Sequence, residues 1–289
     1  MDVSNLGQLE DNFWLELANK KVIHNRKVPL HILSTDLVTE KKANLFMKTQ
    51  VIPWMSPSLS QSMRFVLSGI GHQQHFSRGE IIYSSPDFFD ALMYVKSGFV
   101  VKTLLDPVRD EPLLLSLVGA GALCGSYENL YVHDRMPRRH WCLTSTTVLV
   151  VNQELLMKIA DENPEWQQEL MNYTSAAALC DRMGMYLNYS GTVEERLGAL
   201  LLLMLQGEDP SSSRSLFSSG IDWIELRFFP GRKTMAQILG CKYEMMNEVI
   251  RTWVIRGDIR RRGGKIWIRR KTFLRYWEWL LPIMREKKV

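Results

Sequence analysis

Apolar residues first recur at helical spacing at Leu6, Leu9, Phe13 and Leu17, before Pro53 and Pro57 interrupt the chain. Residues 1–54 therefore read as an N-terminal extension with some helix. Leu59, Met63, Val66 and Ile70 predict a short amphipathic helix over 58–72. From Phe76 to Val151 the texture changes. Short β-rich runs at 80–83, 92–96, 99–104, 113–118, 141–144 and 148–151 alternate with turn residues such as Ser97-Gly98 and Asp106-Pro107. Closely spaced short strands predict a β-sandwich or roll over 55–152.

Residues 153–206 read as helix, with Asn163-Pro164 opening a long segment towards Tyr186 because proline suits a first helical turn. The next helix, 193–206, is too Leu-rich to stand in water and must pack on something. A Ser-rich loop follows over 207–219. Residues 223–229 predict a strand, 233–239 and 243–256 two helices around Gly240, and 259–262 with 265–268 a hairpin across Gly263-Gly264. A last helix runs from Lys271 towards Leu281. The expected organisation is 1–54 extension, 55–152 roll, 153–190 long-helix region and 191–289 winged helix-turn-helix. The fold class is α+β.

Charge sharpens this picture. Residues 227–289 hold 17 Lys or Arg against 5 Asp or Glu, so they carry +12 of a chain total of +5 and the remainder is −7. A basic C-terminal quarter on an acidic body predicts a nucleic-acid or anionic-membrane contact. Cys124, Cys142, Cys180 and Cys241 lie far apart and form no ligand pattern, so they read as buried small residues. No signal-peptide pattern opens the chain, and no apolar run is long enough to span a bilayer, which predicts a cytoplasmic protein without a membrane partner. No phosphate-cradling glycine loop, metalloprotease pair or nucleophile elbow occurs, so neither catalysis nor a metal or other cofactor is expected.

Two short helices, a glycine turn and a hairpin form a winged helix-turn-helix. Ala236 is small enough for a close crossing, Gly240 supplies the turn, and Met246 packs back into the core. Tyr243, Asn247 and Arg251, at i, i+4 and i+8, line one ridge that fits a major groove, with Lys242 and Glu244 beside it. The wing adds Arg260, Arg261, Arg262 and Lys265 for phosphates. These nine residues are the candidate DNA contacts.

Taken in order, residues 76–83 (FSRGEIIY), 94–98 (YVKSG), 121–125 (GALCG), Asn163-Pro164, 193–201 (VEERLGALL) and 236–241 (AQILGC) resemble the cyclic-AMP receptor protein/FNR family of bacterial transcription regulators. The resemblance spans 58–275. It implies a cyclic-nucleotide-binding-like roll, a long helix that pairs with its twin, and double-stranded DNA as partner. It places a ligand pocket around Gly125, Ser126, Arg138 and Arg139. Ser126 stands where cyclic-AMP binders carry a ribose-holding Glu, and Arg138-Arg139 replaces their Arg-Ser pair. Cyclic AMP is therefore not the expected ligand, which leaves a different small effector or none. Arg138 and Arg139 read first as solvated loop charges, with anion binding by Arg138 as the alternative. Tyr243 and Glu248 stand where the family often has arginines, so the operator should differ from its usual one. The alternative to a regulator is an interaction module that kept the fold and lost specific DNA binding.

Overall fold

A computed structural model describes residues 51–84, 91–105, 112–131, 137–208, 216, 220–226, 228–263 and 265–284. The expected helix in the extension lies outside these residues. After α1 (Gln61–Ile70) come β1 (His72–Phe76), β2 (Ile81–Ser84), β3 (Ala91–Ser97), β4 (Val100–Leu105), β5 (Pro112–Val118) and β6 (Leu123–Gly125). A 3-10 turn at Tyr127–Leu130 precedes β7 (Arg138–Cys142) and β8 (Thr146–Asn152). The strands form two antiparallel four-stranded sheets, ordered β1-β8-β3-β6 and β2-β7-β4-β5.

Alternation explains why β3 and β8 are apolar almost throughout. Met93, Val95, Val148 and Val150 face the roll interior with Val100, Val118 and Cys142 from the other sheet. Leu92, Tyr94, Leu149 and Val151 face outward, onto α1, α2 (Gln153–Asp161) and α3 (Pro164–Ser190). Two strands were not legible. β1 is a polar edge strand, exposed at four of five positions, and β6 has only three residues. The helix expected over 58–72 ends at Ile70, where Gly71 closes it.

The helical stretch divides where expected. Asn163 accepts hydrogen bonds from the amides of Glu165 and Trp166, and Pro164 starts α3. α3 buries Leu170, Tyr173, Ala177, Cys180, Gly184 and Leu187 against its own roll. The end of the extension wedges into that contact. Trp54 is fully buried with φ +58, a conformation that costs a bulky residue about 1–3 kcal/mol. Two groups hold it: its carbonyl accepts from Leu117 N at 2.7 Å, and its amide donates to Cys180 O at 3.4 Å.

The apolar helix α4 (Val193–Glu208) is buried on every side over residues 196–205. Phe99, Val101, Leu114 and Leu117 of the roll, Met235 and Ile238, and Phe273, Tyr276 and Trp277 share its core. β9 (Trp223–Leu226), α5 (Arg232–Ile238), α6 (Tyr243–Ile255), β10 (Ile259–Arg262), β11 (Lys265–Arg269) and α7 (Arg270–Met284) complete the chain. The last sheet is antiparallel, ordered β10-β11-β9. β9 stops at Leu226, short of the expected 229, and Phe228 stacks on Phe99 of the roll at 6.1 Å. α5 also packs on β5.

Gly184 exists for Trp54: a Cβ there would lie 2.5 Å from the indole Cδ1. Gly184→Ala should destabilise the fold by about 1–3 kcal/mol through overpacking, measured as a lower urea midpoint with unchanged m-value.

Candidate nucleic-acid interface

α5 and α6 make the helix-turn-helix. Gly240 takes φ +56 in the turn, and Cys241 N donates to Ala236 O at 2.9 Å. Ala236 and Met246 are buried, as the close crossing requires. Met246, Ile250 and Trp253 turn α6 inward. Lys242, Tyr243, Glu244, Glu248 and Arg251 are exposed, and Asn247 is half-buried.

The first helix contributes a residue that the sequence pattern did not single out. Arg232 Nη1 donates to Asn247 Oδ1 at 3.0 Å. That bond occupies one lone pair of the carbonyl and orients the amide, so that both of its N–H donors remain for a base edge. The available signal was the Arg232-Lys233 pair opening α5, since basic residues at that point flank the recognition helix.

In the wing, Arg261 and Arg262 are exposed near the tip. Lys265 pairs with Glu225 at 2.6 Å. Arg260 behaves differently: its guanidinium lies 3.9 Å from the centre of the Trp223 ring and 5.7 Å from that of Trp267. Register puts these residues on one outward face, because Arg260 opposes Trp267 and Arg269 opposes Trp223. Arg260 is therefore a stacked cation with a fixed direction.

Two ionic groups, buried Arg196 and half-buried Glu194, fix this unit to the rest of the chain. Arg196 Nη1 donates to Asn188 O at 2.7 Å and to Leu239 O at 2.6 Å, which satisfies the carbonyl ends of α3 and α5. Glu194 Oε1 accepts from Tyr276 Oη at 2.8 Å, from Trp253 Nε1 at 3.1 Å and from Arg256. Arg256 and Tyr276 hold the Glu194 carboxyl below its ordinary range, against the effect of burial.

The expected ligand pocket needs a correction. Arg138 and Arg139 are not solvated loop charges. Both lie in β7, with Arg138 buried and Arg139 half-buried. Arg138 Nη2 meets Glu128 Oε2 at 2.6 Å. Glu128 Oε1 meets Lys102 Nζ at 2.8 Å, and Lys102 meets Asp181 Oδ2 of α3 at 2.5 Å. Lys102 also donates to Tyr127 Oη at 2.8 Å. Arg139, next along β7, takes the opposite face, and its carbonyl accepts from Thr103. Ser126 Oγ donates to Gln153 Oε1 at 3.2 Å. Gly125 N donates to His140 Nδ1 at 3.4 Å. Thus Gly125, Ser126 and Arg138 lie in one region around Glu128, and Arg139 does not join them.

Burial pulls the Lys102 amine down, but Asp181 and Glu128 together hold it above its ordinary value. Burial pushes Glu128 up, and Lys102 and Arg138 outweigh it and hold the carboxyl low. Burial pushes Asp181 up against the pull of Lys102. His140, buried and then repelled by Lys102, is pushed down to about 3. Cys124, Cys142 and Cys180 are buried and Cys241 is half-buried. Among the described residues no cluster of His, Cys, Asp and Glu could hold a metal ion, and no helix is long and apolar enough to cross a membrane.

No protein-family model and no curated protein matches the chain. Solved structures do. FixK2 of Bradyrhizobium japonicum aligns with a TM-score of 0.56 at 15% identity, over 72% of this chain and 97% of its own. The c-di-GMP-responsive global regulator CLP of Xanthomonas campestris aligns at 0.55 and 18% identity, over 72% and 97%. A CRP-family transcriptional regulator of Thermus thermophilus aligns at 0.54 and 15% identity, over 71% and 96%. The chain has the CRP/FNR regulator fold. In that fold the roll, long helix and helix-turn-helix follow one another as the sequence pattern predicts.

Acid should weaken the CRP/FNR fold of this chain in two stages. An unfolded imidazole takes a proton below 6.5, whereas folded His140 takes one only near 3. The unfolded state then binds more protons, so stability falls as pH drops below about 6.5. Glu128 has a depressed folded value, so its contribution is present above 4.5 and lost as pH falls further. Urea midpoints from pH 7.5 to 4 should show a slope of up to about 1.4 kcal/mol per pH unit from one proton. His140→Gln should flatten the limb above pH 4.5.

Proposed function

We propose that this chain is a homodimeric, sequence-specific DNA-binding transcription regulator whose sensor-like roll does not take cyclic AMP. The observation that carries the reading is the helix-turn-helix itself: an anchored α6 with an exposed polar ridge, flanked by Arg232 and by the basic wing. The candidate contacts are Lys242, Tyr243, Glu244, Asn247, Arg251, Arg261, Arg262 and Lys265, with stacked Arg260 behind them. The working division is an extension to 54, a roll over 55–152, a dimer helix over 153–190 and a DNA-binding unit from 191.

The two faces of α3 support the homodimer. Its buried face serves its own roll. On the other side Met171, Ser175, Ala178, Arg182, Met185 and Tyr189 recur at alternating spacings of four and three, all exposed. Leu179 and Tyr186 flank them, and Tyr189 is 95% exposed. That is the seam a helix presents to a parallel copy of itself.

Purified protein incubated with sheared genomic DNA should enrich a palindromic motif with half-sites about 10 bp apart, one helical turn. Affinity should fall steeply with salt. Arg261→Ala with Arg262→Ala should weaken binding across all sequences and lower the salt slope by about 2. Glu248→Gln should tighten it, since that carboxylate faces phosphates. Met185→Glu should raise the dimer dissociation constant by roughly tenfold to a hundredfold, because burying such a side chain is worth about 1.5–3 kcal/mol. Sedimentation velocity checks this.

A second reading rests on the outermost face of α6. Glu244 and Glu248 sit there beside Ile255, which is 76% exposed. An acidic and apolar face suits a protein partner better than a phosphate backbone. No enrichment even in low salt would favour that reading.

A further inference from the structure

The buried charges of the roll form one alternating chain: Arg138, Glu128, Lys102, Asp181. Each cation meets a carboxylate, and the four charges sum to zero. The three Lys102 ammonium donors go to Tyr127 Oη, Glu128 Oε1 and Asp181 Oδ2. Glu128 accepts Lys102 and Tyr127 on Oε1 and Arg138 on Oε2. A carboxylate held by one guanidinium, one ammonium and one phenol is what a free anion would find in a pocket built for it.

Exposure shows which member closes the site. The side chains of Lys102 and Arg138 are 1% and 3% exposed, whereas Glu128 is 22% exposed. Glu128 lies at the mouth, on the 3-10 turn that follows Gly125 and Ser126. Lys102, Arg138 and Tyr127 lie behind it.

We propose that Lys102, Arg138 and Tyr127 form a carboxylate-binding site that Glu128 of the same chain fills, and that Lys102 passes this occupancy to α3 through Asp181. The roll thereby supplies its own ligand. Asp181 follows Cys180, whose carbonyl accepts from Trp54, and precedes Arg182 on the exposed seam. Losing the carboxylate at Glu128 leaves two buried cations sharing Asp181, and the strain falls on α3. This deepens the regulator reading above and rests on it for the DNA readout.

The test is chemical rescue. Glu128→Ala removes the carboxylate and opens a space that acetate fits. In wild type, acetate and chloride at equal ionic strength should give the same melting temperature, the same DNA affinity and the same hydrogen exchange over residues 177–187. Glu128→Ala should melt lower, exchange faster over 177–187 and bind its DNA about tenfold more weakly, within the usual span of coupled sites. Acetate, but not chloride, should reverse all three. Equal behaviour of the variant in acetate and chloride overturns the proposal, because a purely structural ion pair gives no such selectivity. If wild type enriches no DNA, the regulator reading fails on its own. The site is then judged on melting and exchange, where acetate-specific reversal supports it and its absence overturns it. If Glu128→Ala stays unfolded in both salts, Glu128→Gln decides. Faster exchange over 177–187 supports the relay, and wild-type exchange overturns it.

Discussion

A lysine with a 1% exposed side chain inside a β-roll sets the terms for much of this molecule. Moving one unpaired ammonium into a protein interior costs several kcal/mol even after relaxation. Lys102, carried on β4, avoids that cost only if the turn at Tyr127–Leu130 and α3 keep their places, because the turn supplies two of its acceptors, Tyr127 and Glu128, and α3 the third, Asp181. Arg138 adds β7 by the same logic. An apolar residue at 102 would pack in many neighbouring arrangements. A lysine with three donors to satisfy accepts far fewer, so the ionic chain specifies register more than it adds stability.

A second set of ionic contacts does the same for the winged helix-turn-helix. Helix ends leave carbonyls without partners, and Arg196 answers two of them at once, one on α3 and one on α5. Glu194, two residues earlier, ties the start of α4 to the far end of α6 and to α7. Between these pins runs the apolar body of α4, in a core that reaches from Phe99 to Leu280 without a break. The recognition helix is therefore rigidly related to α3. The same core holds Phe99, Val101, Leu114 and Leu117 of the roll, so the helix-turn-helix is packed against both α3 and the roll.

The parts legible in the sequence were those where period and punctuation agree. Asn163-Pro164, Gly240 and Gly263 mark boundaries that hold, and Met246, Ile250 and Trp253 are inward as their spacing requires. β1 was hidden because an edge strand need not alternate, and β6 because three residues show no period. The roll's interior misled for a different reason. In sequence a charge reads as exposure, which places Arg138 in solvent. Its partner Glu128 lies ten residues earlier, and Asp181 lies farther still, on another element. Pairing across a fold leaves no local trace. A trace did exist at Lys102, the lone charge in a strand otherwise reading Val-Val-Thr-Leu-Leu, on the same face as buried Val100.

The recognition helix shows the same limit from the outside. Its ridge of Tyr243, Asn247 and Arg251 was readable because helical spacing is local. How Asn247 is oriented towards a base is not, because Arg232 on the preceding helix binds its carbonyl. Arg260 likewise reads as a free phosphate contact until β9 supplies Trp223 beneath it. In both cases the residue type survives and its freedom narrows: an amide is held in one orientation, and a flexible cation becomes a stacked one. Base and phosphate contacts depend on such narrowing, since a side chain held in one direction loses less freedom on binding than one that must be ordered. The acidic pair Glu244 and Glu248 has no partner of that kind among the described contacts. It stands at the outermost point of α6, where the choice between a DNA groove and a protein surface is made.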